Sequence, residues 1–510
     1  MERYTRAGMK GPVLDLEGVS RRIGDCVAVD DARVTLRPGM IHAIVGENGA
    51  GKSTLMKMAA GVVPPTGGVV KIDGRPLDPA TPAEAIRRGV GMVHQHFMLV
   101  GAFRAIENVI LGGEPTTSLG RLDLVKATAR AREIMESAGL TVPLDAPTAS
   151  LTVGERQRLE ILRVLYRGAR ALLLDEPTAV LSPLEAEDLY TTLRRLADGG
   201  ATIAVVTHRL DEITRHADHV TVMRRGHVVF STPQDRGAPL STDELTRAIM
   251  GGEPPPPFAP PKLADDAATV LALKGVALAD ESGRALLDGI DLTVRAGEIV
   301  GVAGIEGNGQ RELVRVIAGL EARAIGQVIV AGQDVSTAKV RARRALLGVV
   351  HEDRHAEGLL LDATVADNLV LGDLGDGDLD EAATVARRMD AFSVQPPDPS
   401  LPSGALSGGN QQKIVIARAL DRLRHAGAKA AAVLAQPTRG VDVGAAAIIH
   451  RAIGTAAAAG MAVLVISADL GELRRLSHRI VVMRHGKIVG SLPREASETE
   501  IGKAMLGVGA

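Results

Sequence analysis

A glycine-rich segment early in the chain has the residue types that hold a phosphate group. It follows the apolar stretch 41–45 and precedes a predicted helix from Lys52 to Gly61. Glycines let consecutive backbone N–H groups turn toward an anion, and the helix N-terminus adds unpaired donors. Lys52 would bring a full charge to the β- and γ-phosphates, and the Ser53 hydroxyl would ligate Mg²⁺. The segment predicts a nucleotide-binding loop of Gly46, Glu47, Asn48, Gly49, Ala50, Gly51, Lys52, Ser53 and Thr54.

Polar side chains at the ends of later apolar stretches could complete this site. Asp175 and Glu176 end one such stretch, and we interpret Asp175 as a Mg²⁺ ligand and Glu176 as the group that polarises the attacking water. Two solvated carboxylates at a turn are the alternative. Gln95 is interpreted as a contact to Mg²⁺ and the γ-phosphate, and His208 as a γ-phosphate contact, with a structural histidine as the alternative. The histidines flanking Gln95 could form a metal pair, but a third ligand is not nearby in the sequence.

The chain repeats itself. The segment beginning at Arg37 aligns without a gap with the segment beginning at Arg295, 258 residues later. Three further segments repeat in the same order at offsets of 255 to 260 residues. A repeat of this length is a whole domain. We predict one domain at 11–250, a proline-rich linker at 251–263 and a second domain at 264–505.

Apolar stretches of strand length alternate with helical patterns in each copy. Short apolar strands at 41–45, 171–174 and 202–206 indicate a buried parallel sheet. Helical spacing at 183–197 and 122–139 predicts a helix between two of these strands and a separate helical subdomain. The predicted fold class is α/β with a helical insertion, present twice.

Composition excludes several other classes of protein. Lys plus Arg number 59 and Asp plus Glu number 61, a net charge of −2, which disfavours non-specific nucleic-acid binding. The single cysteine, Cys26, rules out an internal disulfide and any multi-cysteine metal site. The sequence offers neither a signal-peptide pattern nor 18 uninterrupted apolar residues, so we predict no transmembrane helix.

Taken in this order, the motifs resemble those of an ATP-binding-cassette (ABC) ATPase over nearly the whole chain. The resemblance implies two tandem cassettes, each with a P-loop parallel-sheet core, an antiparallel β subdomain and a helical subdomain. It also identifies signature loops, which pack head to tail against the other cassette's P-loop and sandwich ATP. The second copy has the intact signature Ser407, Gly408, Gly409 and Asn410, and the first has the altered signature Leu151, Thr152, Val153 and Gly154.

The two copies have lost complementary parts of this machinery. Where the first copy has Lys52 and Ser53, the second has Gln310 and Arg311, and its further changes fall at the positions of Asp175, Glu176, His208 and Gln95. The resemblance therefore implies one complete composite ATP site, in which the first P-loop meets the second signature. The incomplete site would comprise Gly304, Gly309, Gln310, Arg311, Ala435, Gln436 and Ala468 with Leu151, Thr152, Val153 and Gly154.

A tandem cassette of this kind is similar to the ATPases of bacterial importers for simple sugars and nucleosides. The wording of the motifs favours a nucleoside importer, with a ribose- or galactoside-type importer as the alternative. A tandem protein of the translation-factor type, without a transport role, is a more distant alternative. The resemblance implies ATP and Mg²⁺ as cofactors, and two permease subunits and an extracytoplasmic solute-binding protein as partners. It implies a peripheral position on the cytoplasmic face of the membrane and no nucleic-acid partner.

Overall fold

The computed structural model describes residues 10–24, 26–95, 97–179, 181, 183–207, 209–234, 240–252, 258–374 and 379–507. The chain divides into two compact units, Met1–Pro254 and Pro255–Ala510. Two of the residues singled out from the sequence, His96 and His208, lie outside the described residues, as does the linker segment 253–257. The boundaries 11–250, 251–263 and 264–505 stay a prediction.

The first unit contains two sheets. Its strands are β1 (Leu14–Ile23), β2 (Cys26–Leu36), β3 (Ile41–Gly46), β4 (Gly67–Ile72), β5 (Arg75–Pro76), β6 (Val90–Val93), β7 (Ala171–Asp175), β8 (Thr202–Val206), β9 (His219–Arg224) and β10 (His227–Pro233). An antiparallel sheet has the order β2-β1-β4-β5, and the core sheet has the order β10-β9-β3-β8-β7-β6. Within the core sheet β9, β3, β8, β7 and β6 are parallel, and only β10 is antiparallel to its neighbour.

Eight α-helices belong to the described part of the first unit. They are α1 (Lys52–Ala59), α2 (Pro82–Arg87), α3 (Ala105–Ile110), α4 (Leu124–Ala138), α5 (Val153–Tyr166), α6 (Pro183–Asp198), α7 (Leu210–His216) and α8 (Thr242–Met250). Helix α4 is capped by the Asp123 carboxylate and ends at Gly139, which has a φ of 69°. Helices α3, α4 and α5 pack together as the helical subdomain.

The second unit repeats this architecture. Its strands are β11 (Thr269–Ala279), β12 (Ala285–Arg295), β13 (Ile299–Ala303), β14 (Ile325–Val330), β15 (Gln333–Asp334), β16 (Leu347–Val350), β17 (Ala431–Ala435), β18 (Ala462–Ile466), β19 (Arg479–Arg484) and β20 (Lys487–Pro493). Its α-helices are α9 (Gln310–Ala318), α10 (Val340–Arg343), α11 (Val365–Val370), α12 (Glu381–Ala391), α13 (Gly408–Asp421), α14 (Val443–Ala458), α15 (Leu470–Leu476) and α16 (Glu498–Leu506). The sheet orders β12-β11-β14-β15 and β16-β17-β18-β13-β19-β20 match those of the first unit. The predicted α/β class, with a parallel core, an antiparallel sheet and a helical subdomain in each unit, is confirmed.

A chain of hydrogen bonds leads from the surface of the first unit to a buried histidine. The Nε2 atom of His219 bonds Ser231 Oγ at 3.0 Å, Ser231 Oγ bonds Thr221 Oγ1 at 2.9 Å, and Thr221 Oγ1 bonds His42 Nε2 at 2.8 Å. His42 is 3% exposed, and burial, together with nearby His219, lowers its pKa from 6.5 to about 3. His42 is therefore neutral in the folded protein throughout the physiological pH range.

We expect this histidine to make the first unit less stable in acid. The unfolded chain binds a proton at His42 below pH 6.5 and the folded chain binds it only near pH 3, so stability is present above pH 6.5 and is lost as the pH falls toward 3. Between pH 7.5 and 5 the loss from this group is about 2 kcal/mol. The variant His42→Val introduces the residue found at the aligned position of the second unit, Val300. Urea unfolding of wild type and of this variant at pH 7.5 and at pH 5 measures how much stability each protein loses between the two pH values. An equal loss in both proteins would contradict the assignment.

Candidate nucleotide site

The predicted nucleotide-binding loop connects β3 to α1 at the carboxyl edge of the core sheet. Gly51, which precedes the helix, has a φ of 98°, and a Cβ on it would lie 2.3 Å from the carbonyl oxygen of Ala28. Only glycine satisfies both conditions. The Lys52 side chain is 5% exposed, and its Nζ donates to the carbonyl oxygens of Gly46 and Glu47, each at 2.8 Å. The ammonium group is thus folded over the loop, beside the backbone that would face an anion.

A hydroxyl and a carboxylate meet where the loop enters the helix. Ser53 Oγ donates to Asp175 Oδ1 at 3.0 Å, which joins the start of α1 to the end of β7. Burial raises the pKa of Asp175, as does the neighbouring charge of Glu176, and the hydrogen bond from Ser53 opposes the increase. A divalent cation would bring positive charge to this arrangement, and both oxygens are of the type that Mg²⁺ prefers. The residues present therefore fit the ion.

Glu176 and Gln95 are also brought together. Gln95 Nε2 donates to Glu176 Oε2 at 2.9 Å across the ends of β6 and β7. Glu176 has a φ of 48°, an unusual conformation for a residue with a side chain, and its N–H donates to Val206 O at 2.9 Å. Such strain persists where the surrounding structure fixes it, often at functional sites. Both side chains were assigned to the nucleotide site from the sequence, and the structure brings them together.

The corresponding loop of the second unit is closed by its own side chains. Gln310, which replaces Lys52, donates from Nε2 to Ile305 O at 2.9 Å and accepts the Asn308 N–H at 3.1 Å. A Cβ on Gly304 would lie 2.3 Å from the Gln310 amide nitrogen. Gly309 retains a φ of 101°, close to that of Gly51. The backbone of a phosphate loop is preserved, but a neutral amide occupies it.

The side chain of Asn308 adds to this closure, and sequence reasoning missed it. Its Nδ2 donates to Ile305 O at 3.0 Å and its Oδ1 accepts the N–H of His485 at 2.7 Å. The aligned residue in the first unit is Ala50, which has no polar side chain. The presence of asparagine in the second copy, where the first has alanine, was the sequence signal that could have indicated this contact.

Other residues of the second unit that align with the predicted site residues also make contacts of their own. Gln436 keeps a φ of 49° but its Oε1 accepts the N–H of Ala468 at 3.1 Å, in a site where Ala435 offers no metal ligand. Glu352 lies at the position of Gln95 and forms an ion pair with Arg439 at 2.6 Å. Burial raises the pKa of Glu352.

The two signature loops differ in the charge at their helix N-termini. Ser407 caps α13, and its Oγ accepts from the N–H and the Nδ2 of Asn410 at 3.4 and 3.1 Å. Thr152 caps α5, where its Oγ1 accepts from Glu155 N at 3.2 Å and Glu155 Oε2 accepts from Thr152 N at 2.8 Å. The first signature therefore already has a carboxylate at the helix end that would attract a phosphate, while the second has a neutral amide. Sequence reasoning did not consider the charge of Glu155, although the capping-box spacing was visible.

Within the part of the chain that the structure describes, no helix has the length and apolar character to cross a membrane.

Comparisons with known proteins identify the family of the chain. The family model described as "ABC transporter" matches residues 29–179 and 287–424, once in each unit. The nucleoside import ATP-binding protein NupA of Lactococcus lactis is 40% identical, with 97% of this chain and 98% of the relative covered. The guanosine import protein NupO of Bacillus subtilis is 38% identical over 97% of both chains. A ribose import protein, RbsA 1 of Rubrobacter xylanophilus, is 37% identical over 96% of this chain and 97% of the relative.

A solved structure also resembles the whole chain. It is the archaeal ribosome recycling factor aABCE1 in complex with the ribosomal stalk protein aP1, with a TM-score of 0.65 and 19% identity. The alignment covers 96% of this chain and 92% of that one. This similarity concerns the fold alone.

Proposed function

The chain belongs to the ABC transporter family as an ATP-hydrolysing subunit of an import system, and from this premise we propose a single competent ATP site and a nucleoside cargo. The competent site would be composite, with the P-loop of the first unit and the signature loop of the second. Its counterpart would hold nucleotide weakly or act as a static hinge.

The contrast between the two P-loops is the observation that carries the composite site. In the first unit Lys52, Ser53 and Asp175 form a cationic and oxygen-lined pocket edge. In the second unit Gln310 fills the loop with a neutral amide. The signature loops differ in the opposite sense, since the loop of the second unit is the one better suited to an anion. It lacks the carboxylate that caps the helix after the signature loop of the first unit. The P-loop suited to phosphate is therefore in the first unit, and the signature loop suited to phosphate is in the second.

The residues of the first unit divide the work of hydrolysis. Lys52 would leave the loop carbonyls and bind the β- and γ-phosphates, while the backbone N–H groups of residues 46–54 hold the remaining oxygens. Ser53, Asp175 and Gln95 would hold Mg²⁺, which when bound neutralises phosphate charge. Glu176 would orient a water in line with the γ-phosphorus and accept a proton from that water as it attacks. His208 would contact the γ-phosphate.

The signature loop of the second unit would supply the other side of the γ-phosphate site. Its donors are the hydroxyl of Ser407, the backbone N–H groups of Gly408 and Gly409, and Asn410. These groups stand at the N-terminus of α13, whose dipole favours an anion. Closure of the two halves on ATP and release after hydrolysis would then transmit force to a permease.

The nucleoside assignment rests on the residues of the sequence motifs and on the import proteins to which the chain is similar. Relatives named for nucleoside and guanosine import are 40% and 38% identical to this chain. Relatives named for ribose import are 35% to 38% identical, and one named for glucose import is 37% identical, which keeps a sugar cargo as the second candidate. A translation-type role gains no support from the 19% identical structure, because that similarity shows the fold alone.

An exposed apolar segment of the first unit supports docking to a permease. Met98 is 59% exposed, and Val100 and Phe103 are each 39% exposed. The backbone of Met98 is held on α5, since its N–H donates to Glu160 at 2.6 Å and its carbonyl accepts from Arg163 at 2.6 Å. We propose two permease subunits and an extracytoplasmic binding protein as partners, with this chain on the cytoplasmic face of the membrane.

Cargo stimulation of ATP hydrolysis tests the proposed function. With the permeases in lipid discs and the binding protein added, we expect guanosine, adenosine or uridine to raise the rate of phosphate release. Ribose and galactose should leave that rate at its basal value, because the binding protein would not close on them. Stimulation by a sugar and not by any nucleoside would replace the first candidate by the second.

A docking variant provides the control for the same assay. Met98→Asp places a charge on the exposed segment without removing either backbone hydrogen bond. It should hydrolyse ATP as the free chain at the wild-type rate, yet show no stimulation by cargo in the discs. Full stimulation would contradict docking at this segment.

A further inference from the structure

A short turn in the second unit contacts both its altered P-loop helix and its intact signature loop. This turn, Arg354–Gly358, follows β16 by a few residues and has π-helical geometry. At its C-terminal end Glu357 Oε1 accepts from Arg315 at 2.6 Å and from Arg311 at 3.4 Å. Both arginines lie on α9, the helix that begins at the closed phosphate loop. The turn is thereby anchored to the P-loop helix by ion pairs within the protein.

The other end of the turn reaches the signature loop. Arg354 Nε donates to Gln411 Oε1 at 3.3 Å, and its Nη1 donates to the carbonyl oxygen of Arg439 at 3.1 Å. A Cβ on Gly408 would lie 2.6 Å from Arg354 Nη2. One guanidinium therefore contacts the first turn of α13 and the loop after β17 at the same time. A rigid planar fork is suited to holding two such segments in a fixed relation.

The first unit lacks this arrangement at the level of sequence. Phe97 stands at the position of Arg354, and Val153 stands at the position of Gly408. The arginine and the glycine that gives it room occur together in one copy, and both are replaced in the other. The turn is also an insertion, since α11 begins thirteen residues after Glu352 whereas α3 begins ten residues after Gln95. These differences accompany the intact signature.

We propose that the turn Arg354–Gly358 is a brace that holds the Ser407–Asn410 loop in its working position without a nucleotide in the second unit, and that Arg354 is its positioning residue. In the first unit the segment around Gln95 would respond to the γ-phosphate and Mg²⁺. In the second unit the Glu357 ion pairs to Arg311 and Arg315 take the place of those contacts and need no nucleotide. This inference rests on the proposed composite site, because the loop matters only if it completes the first unit's ATP site.

Arg354→Ala in the full-length chain tests the brace. We expect kcat for ATP to fall about tenfold or more, since a small displacement of an oxyanion-binding loop is costly. The affinity for a fluorescent ADP analogue should stay at the wild-type value, because ADP would be held by the P-loop of the first unit. Millimolar guanidinium should restore part of the lost turnover by occupying the vacated position. A merely structural defect would weaken the binding of ATP and of the ADP analogue alike, and guanidinium would not restore turnover.

Two further variants make the result decisive. Glu357→Gln should lower kcat less than Arg354→Ala, and the double variant should be no worse than Arg354→Ala, because both act through one loop. Arg341→Ala, on the exposed face of α10 in the same unit, is the matched control and should be unaffected. If Arg354→Ala does not fold, Arg354→Lys keeps the charge but loses the fork, and it should still show reduced kcat with unchanged ADP affinity.

The outcomes separate failure of the brace from failure of the composite site. If Lys52→Ala is inactive while Arg354→Ala and Arg354→Lys hydrolyse ATP at the wild-type rate, the brace is wrong and the composite site stands. If Lys52→Ala keeps its activity, the proposed ATP site itself is wrong. Wild-type kcat in Glu357→Gln together with a loss in Arg354→Ala would overturn the role of the ion pairs to α9.

Discussion

Glu176→Gln should abolish ATP turnover, whereas Gln310→Lys in the second unit should leave it nearly unchanged. Loss of a general base or water-orienting carboxylate lowers kcat by roughly 10²- to 10⁴-fold. Glutamine has nearly the same shape, so the hydrogen bond across the sheet edge to Gln95 can be kept by reversing donor and acceptor. A lysine at 310 would restore one charge, but the second unit would still lack the equivalents of Ser53, Asp175 and Glu176. Steady-state and single-turnover phosphate release measure both effects.

The reciprocal substitution Gln436→Glu is the control. It places a carboxylate on a residue whose backbone already has a φ of 49°, nearly that of Glu176. Turnover should not rise, because Gln310 and Ala435 leave neither a phosphate-binding charge nor a metal ligand nearby. Substantial turnover in Glu176→Gln, or a clear gain in Gln436→Glu, would show that the second unit hydrolyses ATP and would contradict the asymmetry.

The two units keep the same backbone while their side chains differ, and this has a physical reason. Gly309 and Gln436 retain the unusual backbone angles of Gly51 and Glu176, although the chemistry that would use them is changed. The backbone is fixed by the sheet and by packing around it, so it survives the exchange of side chains in the phosphate loop and at the ends of the strands. A unit whose proposed task is to present Ser407 would still require that whole framework.

Periodicity was sufficient to predict much of this framework. The strand 171–174 was predicted within one residue of β7, and the helix 183–197 within one residue of α6, because continuous apolar runs and helical spacing are local properties. Ser53 and Asp175 were each predicted as Mg²⁺ ligands from the sequence, and the structure brings their side chains together at the carboxyl edge of the parallel sheet.

The contacts that close the second phosphate loop could not be predicted in the same way. The bond from His485 N–H to Asn308 joins residues 177 apart, and only the folded chain brings them together. The guanidinium of Arg354 likewise spans residues 57 and 85 positions away. By contrast, the Thr152–Glu155 capping box is local, so its charge could have been recognised from sequence.

We expect Arg388→Met to destabilise the second unit by about 3–5 kcal/mol, the cost of breaking a buried ion pair. Arg388 is 2% exposed and lies between Asp373, at 2.6 Å, and Asp421, at 2.8 Å. Burial opposes ionisation of Asp421, but hydrogen bonds from Arg387 and Arg388 lower its pKa below the usual value. Removing Arg388 would leave the buried carboxylate of Asp373 and the partly buried carboxylate of Asp421 without the cation that lies between them. Urea unfolding of the full chain at neutral pH measures the loss.

Arg424→Met is the matched control, because Arg424 also pairs with Asp421 but its side chain is 40% exposed. That substitution should cost less than about 1 kcal/mol, as for exposed ion pairs. Asp421 is the last residue of α13, so the Arg388 pair anchors the far end of the helix that begins at the signature loop. The stabilisation is present above the ordinary pKa of an aspartate and is lost as the pH falls, so the wild-type advantage over Arg388→Met should shrink in acid. Equal stability of the two methionine variants at neutral pH would mean that the network contributes no more than a surface pair.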